Sequence, residues 1–212
     1  MKVRSSTVPE SIDLFEAMYT QRAIRRFKSD PVPDETISKL IDAAIRAPSG
    51  ANQQNWKFII IRDPAIKHPI GEYYRRAWEA AYDGPTSPSP IEHRVRASAA
   101  ELAENIAEVP VLILACIEHD GSPGTMSRGS SIYPAVQNLL LAARGLGLGS
   151  VITTLHKRFE QEVKALLGIP DNVETAALLP IGYPADGVGY GPTRRDPVEQ
   201  VTFWDRWGLR AS

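Results

Sequence analysis

The chain has 212 residues, 43% of them hydrophobic and 23% charged, which suits one domain with a real core and excludes a disordered chain. Its formal net charge of −1 lacks the basic footprint of a nucleic-acid binder. A single cysteine, Cys116, excludes an internal disulfide, and its apolar surroundings mark a small core residue.

No cationic segment followed by an apolar core opens the sequence, and no apolar stretch approaches the ~20 residues of a membrane span. The expectation is a soluble, cytoplasmic protein. In chain order, Ile12, Phe15 and Met18 are spaced as the apolar face of a helix. Three arginines follow, at 22, 25 and 26; taken alone they read as a solvated basic helix end. Pro31 and Pro33 then break the pattern, and Asp34 and Glu35 open a second helix over 34–47. Its apolar side is Ile37, Leu40, Ile41, Ala44 and Ile45, and Pro48 stops it.

The polar loop 48–55, "PSGANQQN", leads into 56–63, "WKFIIIRD", a β-branched run expected to be an internal strand. A helix is expected over 65–81 and a flexible connection over 83–90. A second long helix follows, with Ile91, Val95, Leu102 and Ile106 near helical spacing. Residues 109–117, "VPVLILACI", read as a buried strand. The glycine- and serine-rich piece 120–131 precedes a central helix beginning at Ile132, apolar on most sides. Beyond it come a strand at 150–155, a helix over 156–168 ending at Gly168, and an apolar strand at 174–184. Pro180 inside that strand predicts a bulge or a sheet edge. The tail is short and aromatic. Helices outnumber strands without a regular strand–helix repeat, which favours an α+β fold. No repeat or composition shift divides the chain, so a single domain over 1–212 is expected.

The four histidines lie far apart, without metal-ligand spacing. A nucleophile elbow and a phosphate-gripping "GxxxxGK[ST]" loop are both missing. "GLGLG" at 145–149 follows a helix rather than opening one, so it reads as a helix cap and tight turn. Two features remain. The loop 47–56, "APSGANQQNW", offers backbone groups and the Asn52 amide to a flat ligand. The segment "GPTRRDP" at 191–197 adds Arg194 and Arg195, and guanidinium groups suit a phosphate monoester.

Together these stretches resemble the nitroreductase-like flavin family. The opening motif R-R-S/A-I/V-R-x-F appears as Gln21-Arg22-Ala23-Ile24-Arg25-Arg26-Phe27. The motif A-P-S-x-x-N-x-Q-P-W appears as residues 47–56, with Asn55 in place of the proline. "AVQNLLLAARGLGLGSVITT" and "LPIGYP", followed by the arginine pair, complete the likeness from about residue 13 to 207. The resemblance implies an α+β sandwich with a mostly antiparallel central sheet flanked by helices, and a homodimer holding FMN at its interface. Carried over by position, Arg22, Ala23 and Arg25 would line the phosphate, ribityl and pyrimidine side. Pro48, Ser49, Gly50 and Asn52 would face the ring, Thr153 and Thr154 would meet its N5 edge, and Arg194 and Arg195 would lie near the phosphate. Electrons would come from NADH or NADPH and pass to a small electrophilic acceptor such as a nitroaromatic or quinone, with no catalytic side chain and no metal required. The segment 71–82, "GEYYRRAWEAAY", reads either as a lid in which Tyr73, Tyr74 and Trp78 offer a stacking surface to that acceptor, or as an amphipathic helix with those aromatics partly buried. Three other readings stand beside this one: a flavin-binding or flavin-modifying protein without turnover, a reductive dehalogenase-like member, and an anion- or RNA-binding domain.

Overall fold

The computed structural model describes residues 12–82, 84, 89–121, 124 and 126–210. Helix α1 (Leu14–Thr20) starts at Asp13, whose carboxylate accepts from the Phe15 and Glu16 N–H groups, satisfying donors that the first turn leaves open. It stops at Gln21, and the arginine run is therefore not a helix end. Residues 22–27 are extended, with Ala23 bridged to Ser150 and Phe27 to Pro184. The expected apolar face of α1 is also not buried: Phe15 is 60% and Met18 46% exposed, and Ala17 is the buried residue.

Helix α2 (Asp34–Ala44) begins behind Pro33 with the two acids in its first turn. Strand β1 (Trp56–Ile61) leads to α3 (Pro64–Tyr82), α4 (Pro90–Asn105) and β2 (Val111–Glu118). The connection at 83–90 falls largely outside the described residues. Helix α5 (Met126–Gly145) starts one and a half turns before Ile132, although glycine and serine are poor helix formers. Tertiary partners hold that extra stretch: Arg128 pairs with Glu174 at 2.8 Å, and the Ser131 hydroxyl accepts from the Gly50 N–H at 3.1 Å.

Strand β3 is only Gly149–Ser150, followed by a 3-10 turn (Leu155–Phe159), α6 (Glu160–Leu167) and β4 (Val173–Gly182). Gly168 closes α6 in a left-handed conformation, φ 65°, which glycine adopts without penalty. A short α7 (Val198–Val201) lies in the tail.

The sheet order is β1-β2-β4-β3, antiparallel throughout. β2 is buried on both faces. Val111, Ile113, Ala115 and Ile117 pack with α2 and α5, while Leu112, Leu114 and Cys116 pack with α3, α4 and α6. β1 is at the edge among the described strands rather than internal, and Ile60 is accordingly 38% exposed. β4 is no edge, and it carries a bulge at Ala176 rather than at Pro180: the register skips Ala176 opposite Ala115/Cys116, while Pro180 pairs with Leu112. Its effect falls on β3. Leu178 exchanges both backbone bonds with Thr153, and two residues on, Pro180 faces the same side without an N–H to donate. The expected strand 150–155 is reduced there to two residues and one bridge. Gly149 has a packing role: a Cβ there would sit 2.5 Å from Ile24 Cγ2, so only glycine lets the arginine segment lie on β3.

Candidate functional site

Two constellations carry the proposed chemistry, and the strand order separates them. At the β3 edge, the Ile24 N–H donates to the Ser150 carbonyl at 3.0 Å, which sets Arg25 beside that edge. Arg25 is half-buried, with Arg22, Tyr74 and Tyr82 around it. Burial pulls its guanidinium below the ordinary value and Arg22 pulls the same way, while the two phenols work against them. The guanidinium stays charged at neutral pH. Arg22, Arg25, Arg194 and Arg195 pair with no carboxylate among the described residues, whereas Arg26 reaches Glu101 at 3.7 Å. The tail is drawn to the same edge: the Gly191 N–H donates to Thr20 and the Thr193 N–H to Tyr19. A Cβ on Gly191 would meet Arg22 at 4.0 Å. Glu101 and Glu108 share a cavity wall with Arg25 and Arg26, but four guanidinium groups outside any ion pair still make this corner a place for an anion.

Thr153 joins this corner. Its hydroxyl oxygen is buried beside the Tyr74 phenol, with no hydrogen-bond partner among the described residues. Burial pushes the Tyr74 phenol up, against the influence of Thr153 and Arg25. Thr154 is exposed and faces a cavity of about 400 Å³ with Arg128, Tyr133, Lys157 and Glu174 in its wall.

The residues expected to hold an acceptor do different things. Tyr74 is 3% exposed and belongs to the core beside Thr153. Tyr73 stacks on Phe159 at 5.4 Å, and Trp78 on Tyr82 at 4.0 Å. Trp78, Tyr82, Phe159 and Arg76 line an open groove of about 650 Å³. Tyr82, missed in the sequence, links this groove to Arg25; its place one turn beyond Trp78 on α3 was the available signal.

The second constellation is the loop after α2. Ala51, Asn52 and Gln54 have φ of 49°, 55° and 51°, and three non-glycine residues in the left-handed region within four positions are costly. The loop is pinned by Gln54 N–H to the Ser49 hydroxyl at 3.0 Å and by Gly50 to Ser131. Asn55 donates from its amide to the Glu118 carbonyl at 2.7 Å, tying the loop to the end of β2. Ser131 has no local sequence signal, since its partner is 81 residues away.

The loop meets the sheet at Asn55, opposite Glu118, beside the edge strand β1; the arginine segment meets it at Ala23, level with Val111, beyond β3. Strands lie about 4.8 Å apart and rise about 3.3 Å per residue, which puts these corners on the order of 30 Å apart. One chain does not bring Arg25 and Asn52 to a single flat ring.

A protein-family model described as the nitroreductase family matches residues 19–183. The chain belongs to the nitroreductase family. That membership implies an FMN-dependent oxidoreductase. The chain is 31% identical over 211 residues to an NADH dehydrogenase of Thermus thermophilus, covering 91% of this chain and 96% of that one. It is 30% identical over 197 residues to iodotyrosine deiodinase 1 of Rattus norvegicus, covering 90% and 69%. Among solved structures, an oxidised iodotyrosine deiodinase bound to FMN and 3-iodo-L-tyrosine superposes with a TM-score of 0.73 at 29% identity, over 90% of this chain and all of that one. A Bacteroides fragilis nitroreductase with bound FMN shares the fold, with a TM-score of 0.69 at 21% identity over 92% of this nitroreductase-family chain and all of the other. Among the described residues no helix is long and apolar enough to cross a membrane, and no group of three His, Cys, Asp or Glu is placed to hold a metal.

Proposed function

We propose that this nitroreductase-family chain passes electrons from NADH or NADPH through bound FMN to an electrophilic acceptor such as a nitroaromatic or quinone. It does so as one flavin-binding domain, paired as a homodimer with the flavin between subunits. The observation that carries the reading is Arg25: half-buried, charged, and without a carboxylate among the described residues. A half-buried guanidinium outside any ion pair gains from an anionic partner. The FMN phosphate and the electron-rich edge of its ring supply that partner. Arg22, Arg194 and Arg195 would hold the phosphate and Arg25 the pyrimidine edge, with the Ala23 backbone beside the ribityl chain. Thr153 and Thr154 would border the N5 edge. Pro48, Ser49, Gly50 and Asn52 would cover the ring from the second subunit, because their own corner is too far away.

FMN, when bound, supplies the two-electron chemistry. The side chains bind and orient: Arg25 opposes negative charge on the ring edge, and the left-handed loop 51–54 presents backbone groups to its face. Trp78 and Tyr82 give the acceptor an aromatic wall. The deciding experiment is reconstitution with FMN followed by anaerobic NADH and then NADPH. Bound flavin that bleaches with either donor and recovers with a nitroaromatic or a quinone is the expected result; protein that takes up no FMN contradicts it. The deiodinase relatives favour a second reading, reductive dehalogenation, which turnover of a halophenol instead of either acceptor would support.

A further inference from the structure

Behind Thr153 and Thr154 runs a buried polar chain that the flavin contacts above do not use. His156 is 1% exposed, and its Nε2 lies 3.1 Å from the Thr175 hydroxyl. That hydroxyl and the Thr175 N–H both donate to one oxygen of Glu160, at 2.7 and 2.9 Å. An ionised carboxylate only accepts, so the hydroxyl proton is committed to Glu160 and His156 donates from Nε2. Nδ1 is thereby left as a bare acceptor, buried without a partner among the described residues. Burial brings the imidazole pKa down to about 4, with Lys157 acting the same way and Glu160 against it, so the ring is neutral. Lys157 completes the chain: it pairs with Glu160 at 2.8 Å, donates to the Thr175 carbonyl at 2.9 Å and reaches Glu174 at 3.3 Å.

An unsatisfied buried acceptor lowers stability, and an apolar side chain at 156 would avoid it. Packing alone therefore does not account for the histidine. Its position does. Thr153 is fastened to Leu178 by two backbone bonds, and the Thr154 carbonyl accepts from the Lys157 N–H at 3.0 Å. The Thr153–Thr154 pair is thus held on β4 at Leu178 directly, and at Thr175 through His156 and Lys157. Without the second hold, the chain after Thr153 would be tied to β4 at Leu178 alone.

We propose that Glu160, Thr175 and His156 form a positioning clamp that fixes the Thr153–Thr154 edge against the flavin ring. The proposal rests on the FMN reading above. Glu160 anchors the clamp: burial works to raise its pKa, but the hydrogen bonds from Lys157 and Thr175 together outweigh burial and keep it ionised. None of the three side chains touches the ring; they act through the backbone of 153–157.

The test compares wild type with Thr175→Val, Thr175→Ser and His156→Leu, each reconstituted with FMN. Measured are FMN affinity, the visible spectrum and midpoint potential of the bound flavin, kcat and KM for the nicotinamide donor, and thermal unfolding. Thr175→Val and His156→Leu are expected to bind FMN within a few-fold of wild type, to shift the flavin spectrum and potential, and to lower kcat roughly ten- to a hundredfold with little change in KM. Thr175→Ser restores the wild-type values. His156→Leu removes the orphaned nitrogen, so it keeps the fold testable where Thr175→Val is unstable. A yellow wild type whose folded variants share its spectrum, potential and kcat overturns the clamp alone. A wild type that takes up no FMN overturns the flavin reading and the clamp together.

Discussion

Of Arg25 and His156, only the arginine was legible in the sequence. Arg25 falls in a motif of closely spaced arginines, and its chemistry follows from residue type. Removing its charge-assisted contact should cost about 1.5–3 kcal/mol of FMN binding. Arg25→Ala is therefore expected to weaken FMN affinity about ten- to a hundredfold by fluorescence titration, and Arg25→Lys less. His156 had no signal in the sequence, because its partners Glu160 and Thr175 become neighbours only when the 3-10 turn packs on β4. It makes a prediction about acid stability. The unfolded imidazole takes a proton near pH 6.5, while the folded one resists until about 4. As pH falls through that window the unfolded state binds the proton first, and stability is lost. The size is about 3 kcal/mol at most. The folded carboxylates of Glu160 and Glu174 sit below their ordinary values, so their contribution persists here and fades at lower pH. Unfolding free energies of His156→Leu measured from pH 7 to 4 should fall less steeply than those of wild type.

The elements were readable where burial on most sides decides their structure. β2 was legible as a continuous apolar run because both its faces are covered, and α5 because nearly every side packs; Leu139, 0% exposed, anchors its middle. Leu139→Ala is expected to destabilise by about 2–5 kcal/mol, read by denaturant unfolding. Boundaries set by distant partners were not legible. The first turn and a half of α5 is held by Glu174 and Gly50, and β3 is shortened by a proline on another strand. Gly149 belongs to this scale too. Gly149→Ala drives a methyl into Ile24, with an expected loss of about 1–3 kcal/mol. Because Ile24 carries Arg22 and Arg25 on either side, FMN affinity should fall with it, measured by the same titration.

For the whole molecule, the α+β class and the nitroreductase likeness were visible in ordered motifs, but the distance between the motifs was not. Sequence order places residues 22–25 and 48–52 close together; strand order puts them at opposite corners. Helix α1, which leads into the arginine segment, carries exposed apolar side chains beside a groove whose polar lining is Lys39, Arg46 and Asn138. Leu14, Phe15, Met18 and Tyr19 are each 46–67% exposed, and Leu14, Ala17, Ala43, Leu141, Ala142 and Leu146 line a groove of about 710 Å³. An exposed apolar surface of this kind is what an interface with a second copy requires. Two-fold pairing across it is our account of how loop 48–54 of one subunit reaches the arginine corner of the other.

Subunit mixing tests that account most directly. Arg25→Ala damages the arginine corner and Gly50→Trp the ring-facing loop, so each homodimer should bind FMN poorly. In a two-fold dimer assembled from both, one site combines two intact halves and the other two damaged ones. Unfolding and refolding an equal mixture should restore about a quarter of the wild-type FMN sites, since about half the dimers are mixed and each has one good site. If the mixture binds no more FMN than the two variants separately, the flavin site lies within one chain and the account fails.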